Sequence, residues 1–187
     1  MGKDWYDGCV ADQEWRLNHL YYISTKEDGI QRFKLNWAQT ELYHSLHTRN
    51  TILKARQLGM STFTSMLILD NCLFEDGFQA GIIDRTDDDG KEKMQKIALA
   101  YDMLENPPRT TKDHVTDPAD WEAIAAFSRV LWKRVKGDIG AVRATFTRQK
   151  GVDSLIRVAT TLRGGTLNFL HVSEYGYVAN NFPLRAK

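Results

Sequence analysis

The spacing of hydrophobic positions changes several times along the chain, and these changes predict alternating helices and strands. Apolar residues recur at helical spacing over 11–19, 37–47, 60–74 and 87–104. Shorter apolar runs between turn residues predict strands over 20–24, 30–35, 50–54, 79–84, 142–147, 155–161 and 166–172. Residues 121–132 fit either a short helix or an irregular apolar segment. This alternation predicts an α/β fold with a largely parallel central sheet flanked by helices.

A predicted strand, turn and helix meet within residues 51–62, TILKARQLGMST. Thr51, Ile52 and Leu53 form the apolar run, and Gly59 lies in the turn before the helix. The first N–H groups of a helix have no backbone partner and carry partial positive charge, so a turn at this point favours an anion. The segment therefore predicts a phosphate-binding loop and makes nucleotide binding the leading hypothesis.

The loop departs at two positions from the phosphate-loop pattern G-x-x-x-x-G-K-[ST]. Gly59 matches the second glycine and Ser61 the hydroxyl residue, which is suited to magnesium. Lys54 replaces the first glycine, and Met60 stands where the lysine is expected. Because such a loop curls around the phosphates, its first position also lies near them, and Lys54 can supply the missing cation.

The other loop residues complete this predicted site. Arg56 is a second cation, able to stabilise charge that develops on the transferred phosphoryl group. Backbone N–H groups of the loop and the helix start would bind phosphate, which adds Ala55, Gln57, Leu58, Met60 and Thr62 to the candidate nucleotide contacts. The alternative is an amphipathic helix after a buried strand, with Lys54 and Arg56 merely solvated.

A second candidate segment lies at residues 166–176, TLNFLHVSEYG. Its apolar residues predict a strand buried on both faces that ends at Ser173 and Glu174. Ligands of open α/β sheets bind at the carboxyl ends of strands. Glu174 is thus a candidate to polarise the water that attacks a γ-phosphate, and Ser173 is a candidate magnesium contact, directly or through water. The alternative makes Glu174 an exposed residue at a strand end.

Both segments resemble motifs of one family. KARQLGMST resembles the variant Walker A motif of the large terminase subunits of tailed bacteriophages, and TLNFLHVSEYG resembles their Walker B segment. In that family the phosphate lysine often begins the loop, as Lys54 does here. The resemblance implies a P-loop ATPase domain of the ASCE type that uses ATP and Mg²⁺.

A third, shorter segment resembles the part of these ATPases that places a glutamine against adenine. It is FKLNWAQ at residues 33–39, and it makes Gln39 a candidate adenine contact through its amide. The alternative is structural. Asn36 as N-cap and Gln39 at the third helical position fit a capping box, which requires no ligand.

The resemblance also implies a biological role. Family members are motors that translocate double-stranded viral DNA into a procapsid through a portal protein, together with a small terminase subunit, in the cytoplasm of the infected bacterium. They act as homo-oligomeric rings, usually pentamers, and an isolated domain can be monomeric. Arg163, Arg143 and Arg148 are candidates for an arginine supplied to a neighbouring subunit.

Composition fits this hypothesis without identifying it. The 187 residues, 42% hydrophobic, are enough for one core, so we expect a single ATPase domain over 1–187 with a helix and hairpin segment, 1–36, packed on it. The net charge of +1 gives no bulk attraction to DNA. No apolar run reaches membrane-spanning length. The family's nuclease domain has no counterpart in the chain, so nuclease activity is not expected.

Two alternatives remain open at the level of sequence. One is a helicase-like P-loop ATPase that acts on other nucleic acid. The other is a non-hydrolysing remnant with a scaffold role, for which Met60 and Ser173 are the suggestive replacements.

Overall fold

The computed structural model describes residues 8–9, 11–53, 58–110, 113–160 and 166–174. The helices are α1 (Gln13–His19), α2 (Trp37–His44), α3 (Met60–Phe74), α4 (Asp87–Asp102) and α5 (Pro118–Arg134). The strands are β1 (Tyr22–Thr25), β2 (Gly29–Arg32), β3 (Gln79–Ile83), β4 (Val135–Ile139), β5 (Arg143–Arg148), β6 (Ser154–Ala159) and β7 (Phe169–Val172).

The central sheet has five strands in the order β4-β5-β6-β3-β7. Strand β3 pairs in parallel with β6 on one side and with β7 on the other. Strands β4, β5 and β6 pair in antiparallel fashion, and β1 and β2 form a separate hairpin. The predicted α/β class is confirmed, and so is the predicted pairing of the strands near 142–147 and 155–161.

Helix α3 is the centre of the hydrophobic core. Most of its side chains are buried, including Phe63, Met66 and Leu69, and it packs against α4. Helix α4 buries only one face, through residues such as Met94 and Ile97. The structure thus confirms both predicted helices: α3 is buried on nearly all sides, whereas α4 has one buried face.

A buried charged cluster joins α1 to α3. Asp70, with 0% of its surface exposed, accepts hydrogen bonds from Arg16 Nη2 at 2.7 Å, from the Tyr21 hydroxyl at 2.6 Å and from Gln13 Nε2 at 3.0 Å. Burying a charge is costly unless it is paired and hydrogen-bonded, and here both conditions are met. The cluster therefore fixes the N-terminal helix at one position on the core.

The predicted strand over 50–54 is wrong for its described part. Residues 50–53 lie outside every helix and strand, and Leu53 is 96% exposed. Three β-prone residues give few ladder hydrogen bonds, and so short an apolar run does not define a strand. Lys54 itself lies outside the described residues.

Strand β7 also differs from its prediction. It was expected to be buried on both faces, yet Leu170 is 49% exposed. Within the described sheet, β7 lies at the edge and pairs only with β3, so it lacks the cover that a central strand receives.

The C-terminal half contains one longer helix and one strand that the pattern did not predict. Helix α5 begins at Pro118, where Asp117 accepts hydrogen bonds from the N–H groups of Ala119 and Asp120, and it continues to Arg134. Strand β4 follows it directly. Within the described ranges, no helix combines the length and hydrophobicity needed to cross a bilayer.

Candidate functional site

A polar pocket of about 180 Å³ lies at the carboxyl ends of β3 and β7. Its walls come from the start of α3, the ends of these two strands and the first turns of α4. The lining residues are Ser61, Asp84, Arg85, Asp89, Glu92, Lys93, Lys96, Ser173 and Glu174. The fold thus brings Ser61 to the same cavity as Ser173 and Glu174, although they are far apart in sequence.

Parallel pairing of β3 with β7 explains why the strand ends meet. Ile83 pairs with Val172, and the N–H of Ser173 donates to the carbonyl of Ile83 at 2.8 Å. The next residues, Asp84 and Ser173, therefore leave the sheet side by side. This edge is where open α/β sheets bind ligands.

Glu174 has an unusual backbone conformation. Its φ is +53°, and it is the one non-glycine residue with positive φ in the described ranges. The left-handed region costs about 1–2 kcal/mol for a residue with a Cβ atom. Such strain concentrates at functional sites, where the surrounding structure maintains it. The conformation marks Glu174 as a functional candidate independently of any motif.

The turn before α3 is connected to α2 through Gln39. Gly59, the N-cap of α3, has a φ of +66°, and its carbonyl accepts a hydrogen bond from Gln39 Nε2 at 3.0 Å. Gln39 Oε1 accepts from the N–H of Asn36, and Asn36 Oδ1 accepts from the N–H of Gln39. The capping box considered from the sequence is therefore present. The adenine contact of Gln39 stays a prediction, and it would compete with these bonds.

We expect Gly59→Ala to lower the free energy of unfolding by about 1–2 kcal/mol from the left-handed backbone alone. The added Cβ would also lie 2.8 Å from Gln39 Nε2. Gly29→Ala is a matched control, because Gly29 has a φ of +69° and no atom within 4 Å of such a Cβ. Denaturant unfolding should show a larger loss for Gly59→Ala than for Gly29→Ala. Equal losses would mean that the contact with Gln39 has no energetic effect.

Most charges around the pocket are paired. Arg85 lies 3.3 Å from Asp89, Lys96 lies 3.0 Å from Glu92, and Lys93 forms a buried ion pair with Asp84. A hydrogen bond from Thr86 lowers the pKa of Asp89, and a hydrogen bond from Lys96 lowers the pKa of Glu92. Both carboxylates are therefore ionised at neutral pH. In each pair the carboxylate offsets the positive charge of its partner.

The solved structures that resemble this fold include two forms of one domain. The ATPase domain of the Thermus phage P74-26 large terminase superposes with a TM-score of 0.57 at 16% identity, over 80% of this chain and 58% of that one. A variant of that domain with one arginine replaced by alanine gives a TM-score of 0.56 with the same identity and coverage. No protein-family model and no curated protein matches the chain.

The chain has the fold of a phage large terminase ATPase domain. The resemblance inferred from the two motifs is confirmed at the level of the fold. This chain spans about 58% of the length of the matched structures.

Several predicted site residues of this terminase-type fold lie outside the described ranges, namely Lys54, Ala55, Arg56, Gln57 and Arg163. Among the residues that the structure describes, Ser61 lines the pocket and its neighbour Thr62 does not. Met60 is buried at the start of α3, which suits an apolar residue at a position where the motif has lysine.

Sequence reasoning missed Asp84 and Lys93, two pocket residues of the terminase-type fold. Both had a detectable signal. Asp84 directly follows an apolar strand, and Glu174 likewise lies just beyond one. Lys93 lies on the apolar stripe of α4 beside Met94, where a lysine needs a buried partner.

Proposed function

We propose that the chain is the ATPase unit of a viral DNA-packaging motor, hydrolysing ATP to translocate double-stranded DNA into a procapsid. The observation that carries this proposal is the shared pocket of Ser61, Ser173 and Glu174 at the carboxyl edge of a terminase-type sheet. A hydroxyl at a helix start opposite a strand-end carboxylate suits a bound nucleoside triphosphate.

Each predicted residue has a role in this proposal. Lys54 and the backbone N–H groups of residues 55–60 bind the phosphates, and Gln39 contacts adenine. Glu174 orients a water for in-line attack on the γ-phosphorus and accepts its proton, while ADP leaves on the opposite side. Arg56 stabilises the charge that accumulates on the phosphoryl oxygens.

The residues present fit a magnesium ion that arrives with the nucleotide. In the described ranges, His, Cys, Asp and Glu do not gather into groups of three or more that would hold a metal by themselves. Magnesium at phosphoryl-transfer sites keeps several waters and uses one or two protein oxygens plus the substrate phosphates. Ser61 would contact the ion, with Thr62 as the less favoured alternative, and Ser173 would act directly or through water. When bound, the ion neutralises negative charge on the β- and γ-phosphates.

The proposed function also requires an assembly of several subunits. We propose a homo-oligomeric ring, a pentamer by resemblance, acting with a portal protein and a small terminase subunit in the infected bacterium. Arg143 is exposed at the start of β5 and is available to a neighbouring subunit. Arg148 is a poorer candidate, because its guanidinium donates to the Cys72 carbonyl at 2.7 Å and to Ser154 Oγ at 3.2 Å.

Lys54→Ala tests nucleotide binding directly. We expect the dissociation constant for magnesium-ATP to rise by about 10- to 100-fold, because a hydrogen bond to a charged group contributes about 1.5–3 kcal/mol. Equilibrium titration with a fluorescent ATP analogue measures it. Lys34→Ala is the control, since Lys34 is an exposed lysine between β2 and α2. Unchanged binding by Lys54→Ala would contradict the assignment of the phosphate loop.

A further inference from the structure

Ser173 leaves the proposed magnesium site short of one carboxylate. P-loop sites commonly hold the ion with a hydroxyl from the loop and an aspartate at the end of a neighbouring strand. Here Ser61 can supply the hydroxyl, but Ser173 has only a second hydroxyl at the strand end. A hard cation with retained waters favours anionic oxygen ligands, so another carboxylate near the site would matter.

Asp84 is the carboxylate that the fold places beside Ser173. It follows the last residue of β3, just as Ser173 follows the last residue of β7, and the hydrogen bond between Ser173 and Ile83 fixes this register. Asp84 is only 3% exposed, yet it lines the same pocket as Ser61 and Glu174. A buried carboxylate is costly unless it is paired and hydrogen-bonded, and Lys93 supplies the partner here.

The Asp84 carboxylate is held in a defined orientation. The N–H of Arg85 donates to Oδ1 at 3.0 Å, and the Lys93 ammonium donates to Oδ2. An ionised carboxylate has about four acceptor sites, so these two bonds leave capacity for water molecules in the pocket. Hydrogen-bonded carboxylates near a metal orient the ligands that touch it.

Gly90 explains how Lys93 reaches Asp84. A Cβ atom at position 90 would clash with Val158 Cγ1, so glycine allows α4 to approach β6 closely. Lys93 follows within one turn of the same helix, and its side chain, which pairs with Asp84, is only 8% exposed. The close approach of α4 therefore brings the ammonium group to the strand end.

The other acidic residues on α4 fit this role less well. The Asp89 side chain is 36% exposed and accepts from the Thr86 hydroxyl at 2.7 Å as well as facing Arg85. The Glu92 side chain is 65% exposed and pairs with Lys96. Asp89 and Glu92 are charged residues on the surface of α4, whereas Asp84 is buried directly after β3.

We propose that Asp84, held by Lys93, orders the water shell of the nucleotide-bound magnesium ion and supplies the carboxylate that Ser173 lacks. This inference rests on the proposed function. Asp84 is a positioning residue, because it acts on the ion through water. A purely structural ion pair would instead affect stability and leave the magnesium dependence of nucleotide binding unchanged.

The test compares Asp84→Asn with Asp89→Asn, the matched loss of a carboxylate elsewhere in the same pocket. A fluorescent ADP analogue is titrated into the full chain at increasing Mg²⁺ concentrations and also in EDTA. We expect Asp84→Asn to raise the Mg²⁺ concentration for half-maximal binding by about 10- to 100-fold, the usual effect of losing a group that orients metal ligands. Affinity in EDTA should stay unchanged, and Asp89→Asn should behave as the wild type.

A second variant keeps the test decisive if Asp84→Asn unfolds, since that change leaves Lys93 buried without its anion. Asp84→Asn combined with Lys93→Gln replaces the ion pair by two neutral hydrogen-bonding side chains, and the same rise in Mg²⁺ requirement is expected. If a folded variant showed the same Mg²⁺ dependence as the wild type, this inference would be wrong, whereas the proposed function would be unaffected. A wild-type chain that binds no nucleotide at any Mg²⁺ concentration would overturn the proposed function and, with it, this inference.

Discussion

Glu174→Gln is expected to lower the rate of ATP hydrolysis by about 10²- to 10⁴-fold, the usual contribution of a positioned acid–base group. The amide has nearly the same shape as the carboxylate, but it cannot accept the proton of the attacking water. The affinity for magnesium-ATP should therefore be retained. Single-turnover hydrolysis with the chain in excess over nucleotide, measured beside equilibrium binding, separates the two effects.

Glu92→Gln provides the matched control for this experiment. Glu92 lines the same pocket, but its carboxylate is exposed and paired with Lys96. Its loss should leave the hydrolysis rate close to that of the wild type. If Glu174→Gln turned over ATP as fast as the wild type, another group would have to activate the water. Nucleotide binding without turnover by the wild-type chain in its assembled ring would favour the non-hydrolysing alternative.

Asp70→Ala is expected to lower the free energy of unfolding by about 3–5 kcal/mol, the usual cost of removing one partner from a buried ion pair. The change leaves the Arg16 guanidinium buried without its anion and removes the acceptor for the Tyr21 hydroxyl. Chemical denaturation followed by far-UV circular dichroism measures the loss.

The same Glu92→Gln variant is the control for stability. An exposed pair such as Glu92 and Lys96 contributes at most about 1 kcal/mol after solvent screening. A loss below 1 kcal/mol for Asp70→Ala would show that α1 is not fixed to the core through Asp70.

The helices were largely predictable, because the apolar spacing that indicates a helix lies within one continuous stretch of sequence. The helix over 60–74 has the predicted limits, since Gly59 ends the turn and most positions of α3 are buried. The start of α5 was also encoded, by Asp117 as N-cap and Pro118 at the first helical position, although the pattern indicated a later start.

Strand limits were less predictable, because pairing partners lie far apart in sequence. The run at 51–53 looked like a strand but does not form one in the described ranges, while VKGDI at Val135–Ile139 looked polar and forms β4. Strand β4 exists because β5 pairs with it and because Tyr101 donates to the carbonyl of Val135. Neither the pairing nor the hydrogen bond can be predicted from the local sequence.

The candidate site also combines residues that local sequence predicts with residues that only tertiary packing brings together. Motif spacing indicated Ser61 and Glu174, and the pocket contains both. The partnership of Asp84 with Lys93 depends on how closely α4 approaches the sheet at Gly90, which only the tertiary packing determines. The roles of Lys54 and Arg56 stay predictions that the proposed binding experiments test.

The left-handed backbone at Glu174 has a consequence for the energy of the strand end. Glycine adopts positive φ without the penalty of a Cβ atom. A glutamate at this position therefore holds its carboxylate in a backbone conformation that glycine would adopt at lower free energy.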